Sequence, residues 1–254
     1  MDFTPHTDDD VAAMLATIGV GTVDDLFAQI PEELRLRTSL DLPDGVSEQE
    51  IVEDVRALGS KNRSMDELVC FAGRGAYDHY IPSVVWALAG RSEFYTSYTP
   101  YQPELSQGVL QALFEFQSMV CALTGMDVSN ASLYDGSTAL VEAAHMSHTA
   151  ERPRFLVSAG TDPRHVETLQ TYSAGAGYRV EVVQQLPAVV DADVAALVVQ
   201  HPNVYGVLED VAAWAGKAHD GGARLIEVFD PTSLGVLAPP GELGLTWEPE
   251  KFGI

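Results

Sequence analysis

The pattern of apolar and polar positions changes twice along this chain. Up to about residue 60 the apolar residues recur at helical spacing, in short runs closed by turn residues. Asp8, Asp9 and Asp10 offer N-caps for a helix over residues 11–18, which Gly19 and Gly21 stop. Ser47 with Glu50 makes a capping-box pattern that opens a second helix to about Leu58, closed by Gly59. The stretch TVDDLFAQIPEEL between them gives only short amphipathic pieces, broken at Pro31. From Phe71 to Pro103 the periodicity gives way to five tyrosines set among glycines and prolines. Rings in that number are expected to pack against something while Gly and Pro fix turns. A broad apolar side then returns over residues 104–123, carried by Leu105, Leu110, Leu113, Phe114, Phe116, Val120 and Leu123. A stripe that wide predicts contact on more than one side.

After Asn130 short apolar runs alternate with helical ones. The spacing predicts a helix over 136–149, a strand over 155–159, a helix over 163–173 and a strand over 179–183. A strand over 195–200, a helix over 210–219 and a strand over 223–229 follow. Such alternation argues an α/β fold with a mainly parallel sheet covered on both faces. The expected organisation is a helical N-terminal segment with an aromatic loop region (1–103), an α/β domain (104–244) and a divergent tail without a clear element (245–254).

Composition narrows the function classes. The 254 residues are 46% apolar and 20% charged, which fits a globular chain. Against 37 acids stand 14 bases, a net charge of −23, and only three bases are lysines: Lys61, Lys217 and Lys251. A field that negative repels phosphate backbones and anionic lipid, so neither nucleic acid nor membrane is an expected partner. The same surface suits a salt-adapted cytoplasm or ordinary solubility. Cys70 and Cys121 have apolar neighbours and read as buried thiols. The start, MDFTPHTDDD, is acidic where a signal peptide is basic, and no apolar run has the length of a membrane span. A cytoplasmic protein is expected.

Three stretches carry candidate chemistry. Ser129–Thr138 (SNASLYDGST) leads into a helix, and hydroxyls with a glycine at a helix N-terminus can hold an anion or simply cap the helix. Asp230 ends the strand RLIEVFD, where α/β sheets face their ligand crevice, although Asp-Pro is also a common turn. His201-Pro-Asn-Val-Tyr-Gly206 leaves another strand end in the same way. His145 and His148 are a helical turn apart, but with no third ligand nearby they read as helix surface rather than a metal site.

The blocks YDHYIP (77–82), EFYTSYTPYQPELSQGVLQALFEFQ (93–117), NASLYDGSTALVEA (130–143) and QHPNVYG (200–206), in that order, closely resemble the P-protein family of the glycine cleavage system. The resemblance is to the alpha subunit of its two-subunit form and runs over residues 5–244. It implies the large domain of a type I pyridoxal-phosphate enzyme (aspartate-aminotransferase-like), with the family's C-terminal small domain missing here. It also implies that the complete enzyme decarboxylates glycine on pyridoxal 5'-phosphate and passes the aminomethyl group to the lipoyl arm of H-protein. The assembly is then a heterotetramer of two alpha and two beta subunits, with the cofactor and its lysine on the beta subunit.

The residues allow that division of labour. Lys61 and Lys217 fall in helical regions, and the surroundings of Lys251 (PEKFGI) do not resemble the family's lysine motif. No catalytic residue is therefore assigned to this chain. Tyr98, Tyr101, Gln102, Glu104, Ser106 and Gln107 are the expected cleft lining, where rings exclude water and polar groups fix a small carboxylate. Ser137, Thr138 and Asp230 are expected as weak or vestigial cofactor contacts. The competing readings are a non-catalytic scaffold or inactive fragment, and an independent aminotransferase-like enzyme using Lys251.

Overall fold

The computed structural model describes residues 5–36, 38, 40–95, 100–244 and the backbone of 252–253. The chain divides into two compact units, Met1–Arg63 and Ser64–Ile254, which puts the aromatic segment with the α/β part. In the first unit, helix α1 (Asp8–Ile18) is capped by Thr7: its hydroxyl accepts from the Asp10 N–H while the Asp10 carboxylate accepts from the Thr7 N–H. Asp8, Asp9 and Asp10 thus fill the first turn rather than the cap, where their charge complements the helix dipole. Helix α2 (Glu48–Gly59) opens on the expected Ser47–Glu50 capping box. Two 3₁₀ turns, Val23–Phe27 and Glu32–Leu34, lie on either side of Pro31.

The second unit holds α3 (Ser83–Ala89), α4 (Gln107–Thr124), β1 (Val128–Ser129), α5 (Gly136–Ser147), β2 (Arg154–Ser158) and α6 (Pro163–Ala176). It continues with β3 (Arg179–Val183), β4 (Val194–Gln200), α7 (Val211–Asp220), β5 (Arg224–Val228) and β6 (Phe252–Gly253). Strands pair in the order β3-β2-β4-β5, all parallel, with Leu156 opposite Leu197 and Val198 opposite Ile226. Strand alternation splits the core in two. On one face Phe155, Val157, Ala196 and Val198 pack with Leu140, Val141 and Ala144 of α5 and Leu169 of α6. On the other, Leu156, Leu197 and Val199 pack with Trp214 and Ala218 of α7. Because both faces are covered, β4 is buried from Val194 to Val199, which is why it reads as an unbroken apolar run.

The step from β2 through α6 to β3 runs one way across the sheet, and that from β4 through α7 to β5 runs the other. The order therefore reverses between β2 and β4, and the crevice beyond their C-terminal ends is where sheets of this kind bind ligands.

Several details differ from expectation. Helix α3 (SVVWALA) lies within the turn-rich segment; apolar on every side, it has no readable period. Helix α4 starts at Gln107, three residues late, because the Gln102 carbonyl accepts the N–H groups of Leu105 and Ser106 in a separate turn. The tail contributes β6, which pairs in parallel with β1. Cys70 and Cys121 are free and half-buried rather than buried. The broad apolar side of α4 leaves Phe114, Met119 and Leu123 exposed. Among the described residues no helix is long and apolar enough to cross a membrane.

Candidate functional site

The residues at the C-terminal rim of the sheet come from four turns. At the N-terminus of α5, Asp135 is the cap: its Oδ1 accepts the Thr138 N–H at 2.9 Å, and the Thr138 hydroxyl donates back to the Asp135 carbonyl at 3.0 Å. The Thr138 N–H holds the Asp135 carboxyl below its ordinary pKa. This helix end already carries an anion of its own.

The turn from β2 into α6 lies beside it. Asp162 caps α6, with Pro163 in the first helical turn, and its N–H donates to Gln200 Oε1 at 2.8 Å, tying the turn to the end of β4. Its side chain is buried, and Arg164 forks onto it through Nε at 3.1 Å and Nη2 at 2.6 Å. Those bonds outweigh desolvation and bring the Asp162 carboxyl down to about 2. His165 Nδ1 lies 2.7 Å from Ser137 Oγ, and its ring rests on Gly136, where a Cβ would stand 3.4 Å from Cε1. Burial pushes the His165 pKa down against the pull of Asp162 and Asp135, so the ring is neutral at pH 7.

The end of β4 is closely built. The His201–Pro202 peptide is cis, His201 Nδ1 accepts the Glu209 N–H at 3.0 Å, and Asn203 donates to Glu209 Oε1 at 2.7 Å. Gly160 must lack a side chain here, because a Cβ would lie 2.9 Å from both Asn203 Nδ2 and Glu209 Oε1. On the α7 side these residues border a groove of about 490 Å³ walled also by Tyr205 and Trp214. At the end of β5, Asp230 does two things. Its Oδ1 accepts from the N–H (2.9 Å) and hydroxyl (2.7 Å) of Thr232 in a 3₁₀ turn, Pro231–Gly235, and its Oδ2 faces His79 Nε2 at 3.9 Å. Burial works against the Asp230 charge, but the Thr232 bonds and His79 leave its pKa lowered.

Ser137, Thr138 and Asp230 therefore stand on this rim, with Ser137 and Thr138 already engaged in internal hydrogen bonds. Tyr101, Gln102, Glu104 and Gln107 are exposed in the approach to α4, and Ser106 is buried as its N-cap residue. Helix α4 packs against the Pro231–Gly235 turn that follows Asp230. Tyr98 lies outside the described residues. Asp162, Arg164, His165, Gln200 and Arg74, whose guanidinium faces Asp162 at 3.8 Å, were not anticipated. The Asp162-Pro163 pair after a strand was a usable cap signal, whereas the Ser137–His165 pairing spans 28 residues and leaves no local trace. His145 and His148 pack on the ring of Tyr178, at 5.8 and 5.5 Å between centroids. Among the described residues no three His, Cys, Asp or Glu side chains gather to hold a metal.

A pyridoxal phosphate held wholly by this chain would need a lysine and an open anion site. Lys217 lies on α7 with its Nζ bonded to the Ala188 carbonyl at 3.2 Å, Lys61 belongs to the N-terminal unit, and Lys251 is outside the described residues. The N-termini of α5, α6 and α7 are each capped by an aspartate carboxylate, Asp135, Asp162 and Asp210, so none of these three helix ends is an open anion site. The described residues do not fit the group.

Residues 1–247 match the family model described as glycine cleavage system P-protein. The chain is 46% identical to the probable glycine dehydrogenase (decarboxylating) subunit 1 of Desulforamulus reducens, covering 100% of this chain and 60% of that protein. It is also 46% identical to the protein of the same name from Geobacillus kaustophilus, covering 99% and 59%. The crystal structure of glycine decarboxylase (P-protein) of the glycine cleavage system, in inhibitor-bound form, superposes with a TM-score of 0.82 at 43% identity, covering 96% of this chain and 56% of that one. The chain thus spans about 60% of the length of these curated relatives. By family match, identity and fold together, the chain belongs to the glycine cleavage system P-protein family.

Proposed function

We propose that this chain is a subunit of a glycine decarboxylase and works with a lysine-bearing beta partner, in a heterotetramer of two alpha and two beta subunits. The observation that carries the reading is the 46% identity, over the whole chain, to relatives named subunit 1. The partner holds pyridoxal phosphate, which supplies the electron sink for loss of carbon dioxide from glycine. The aminomethyl group then passes to the lipoyl arm of H-protein. This chain contributes the walls of the cleft. Tyr101, Gln102, Glu104 and Gln107 form its approach, with Ser106 buried beneath them at the start of α4, Asp230 and His79 one rim, and Ser137 and His165 another. The whole works in the cytoplasm.

The test is co-expression with a beta subunit and H-protein, followed by glycine–bicarbonate exchange and borohydride trapping of bound pyridoxal phosphate. The expected result is exchange with both subunits present, and a reduced pyridoxyl label on a beta-subunit lysine. A label on Lys61, Lys217 or Lys251 of this chain alone would instead identify an independent pyridoxal enzyme. Co-purification without exchange would make the chain a scaffold.

A further inference from the structure

We propose that Arg74 anchors a binding site for a small carboxylate at the strand-end cleft; that the carboxylate belongs to glycine rests on the function proposed above. Arg74 has φ 51° and lies between Gly73 at 64° and Gly75 at 89°. Left-handed backbone suits the two glycines but strains an arginine, and such strain persists where surrounding structure enforces it.

The enforcement is visible. Ala76 N–H donates to the Gly73 carbonyl at 3.0 Å, closing the turn. Arg164 Nη2 donates to the Arg74 carbonyl at 2.5 Å, and a Cβ on Gly75 would stand 3.6 Å from the same nitrogen. The main chain of Arg74 is thus fastened to the residue that also clamps Asp162.

The side chain is left with capacity. Asp162 is the one carboxylate within 4 Å of the Arg74 guanidinium among the described residues, and at 3.8 Å it is beyond hydrogen-bond reach. Asp162 is meanwhile already supplied by the Arg164 side chain and by the Arg164 N–H at 2.8 Å. Two guanidiniums therefore face one buried carboxylate, an excess of positive charge in a chain with 14 bases against 37 acids. The Arg74 side chain is 54% exposed, so its donors can be reached.

A planar carboxylate matches that fork with two parallel N–H···O bonds. A phosphate dianion suits the place less, because Asp135 caps the neighbouring helix end with a charge of the same sign.

The test follows the arginine side-chain Nε–Hε resonances of the full chain, labelled with ¹⁵N, at constant ionic strength. Acetate, glycine, methylammonium and inorganic phosphate are added separately, and the Arg74 signal is identified by its loss in Arg74→Lys. Acetate and glycine are expected to move the Arg74 signal saturably, methylammonium not at all and phosphate less than acetate. In Arg74→Lys, whose amide spectrum reports its folding, acetate affinity read from neighbouring amides should fall at least tenfold. An unmoved Arg74 signal with acetate, equal affinity in the folded variant, or a stronger response to phosphate would each overturn the site. The acetate arm needs neither partner nor cofactor. Its failure therefore leaves the subunit reading standing, and a response to acetate without one to glycine separates the site from its proposed ligand.

Discussion

Ser137 Oγ and His165 Nδ1 meet at 2.7 Å, joining the first turn of α5 to the first turn of α6 above the ends of the strands. The hydrogen bond holds a ring whose pKa burial has lowered below 6.5. The sign of the pH effect follows. Above 6.5 the ring is neutral folded and unfolded alike, and the contact contributes fully. As pH falls through 6.5 the unfolded chain takes up the proton first, so the folded state loses stability. Denaturant midpoints of wild type and His165→Asn between pH 5.5 and 7.5 should therefore converge as pH falls. A constant gap across that range would show that the ring titrates normally.

Glu227 points the other way. It lies in the middle of β5 opposite Val199, and its Oε2 is buried without a hydrogen-bond partner. Burial raises its pKa to about 7. The folded protein thus holds a proton that the unfolded chain releases near 4.5, so stability is full below 4.5 and declines as pH rises through 7. Glu227→Gln should be close to neutral at pH 5 and stabilising by about 1–3 kcal/mol at pH 8, allowing for partial solvent access. Urea melts at the two pH values decide it, and equal shifts at both would mean the carboxylate is solvated.

The residues of these two predictions show what was readable in the sequence. Strands β2 and β4 and helices α5 to α7 were legible because burial on both sheet faces forces long apolar runs between helical ones, and Gly and Asp mark the ends. The half-buried acid of β5 is visible in RLIEVFD, but the isolation of its Oε2 depends on what packs opposite it. Asp230 was legible as an acid just past a strand end, and the structure shows it there, closing the Asp-Pro turn onto Thr232. His165 and Arg74 act through partners 28 and 88–90 residues away, Ser137 for one and Asp162 and Arg164 for the other. Periodicity carries no information at that range. The cap of α5 was an open choice between anion site and plain cap until Asp135 Oδ1 was placed on the Thr138 N–H.

Two glycines should not tolerate alanine. A Cβ on Gly241 would run into the backbone of Gly125 at the end of α4, and one on Gly160 into Asn203 and Glu209. Backbone cannot yield as a flexible side-chain tip can, so Gly241→Ala is expected to cost about 2 kcal/mol or more. Gly160→Ala should cost about 1–2 kcal/mol and disturb the β4 turn specifically. Thermal melts measure the first effect, and loss of hydrogen-exchange protection at Val204, whose N–H bonds to the Gly160 carbonyl at 2.9 Å, measures the second. Wild-type melting of Gly241→Ala would mean the two turns are not in contact in solution.

Arg154 bears on the acidity of the whole chain. At the start of β2 it forks onto Glu181 (3.1 and 2.9 Å) and reaches Asp191 (3.1 Å) and Asp193 (2.8 Å), so one cation gathers three acids at the foot of the sheet. Its side chain is 19% exposed, which leaves these pairs partly screened rather than fully buried. Arg154→Gln keeps most of the volume and some hydrogen bonding but leaves three carboxylates facing one another across β2, β3 and the approach to β4. The variant should lose about 1–3 kcal/mol at low salt, from the lost pairs and the new repulsion together. At 0.1 M salt, repulsion is largely screened only between exposed charges more than about 10 Å apart, and at 1 M that distance falls to about 3 Å. The deficit relative to wild type should therefore shrink as potassium chloride rises towards 1 M. A deficit unchanged by salt would assign the role of Arg154 to packing and hydrogen-bond geometry instead of charge.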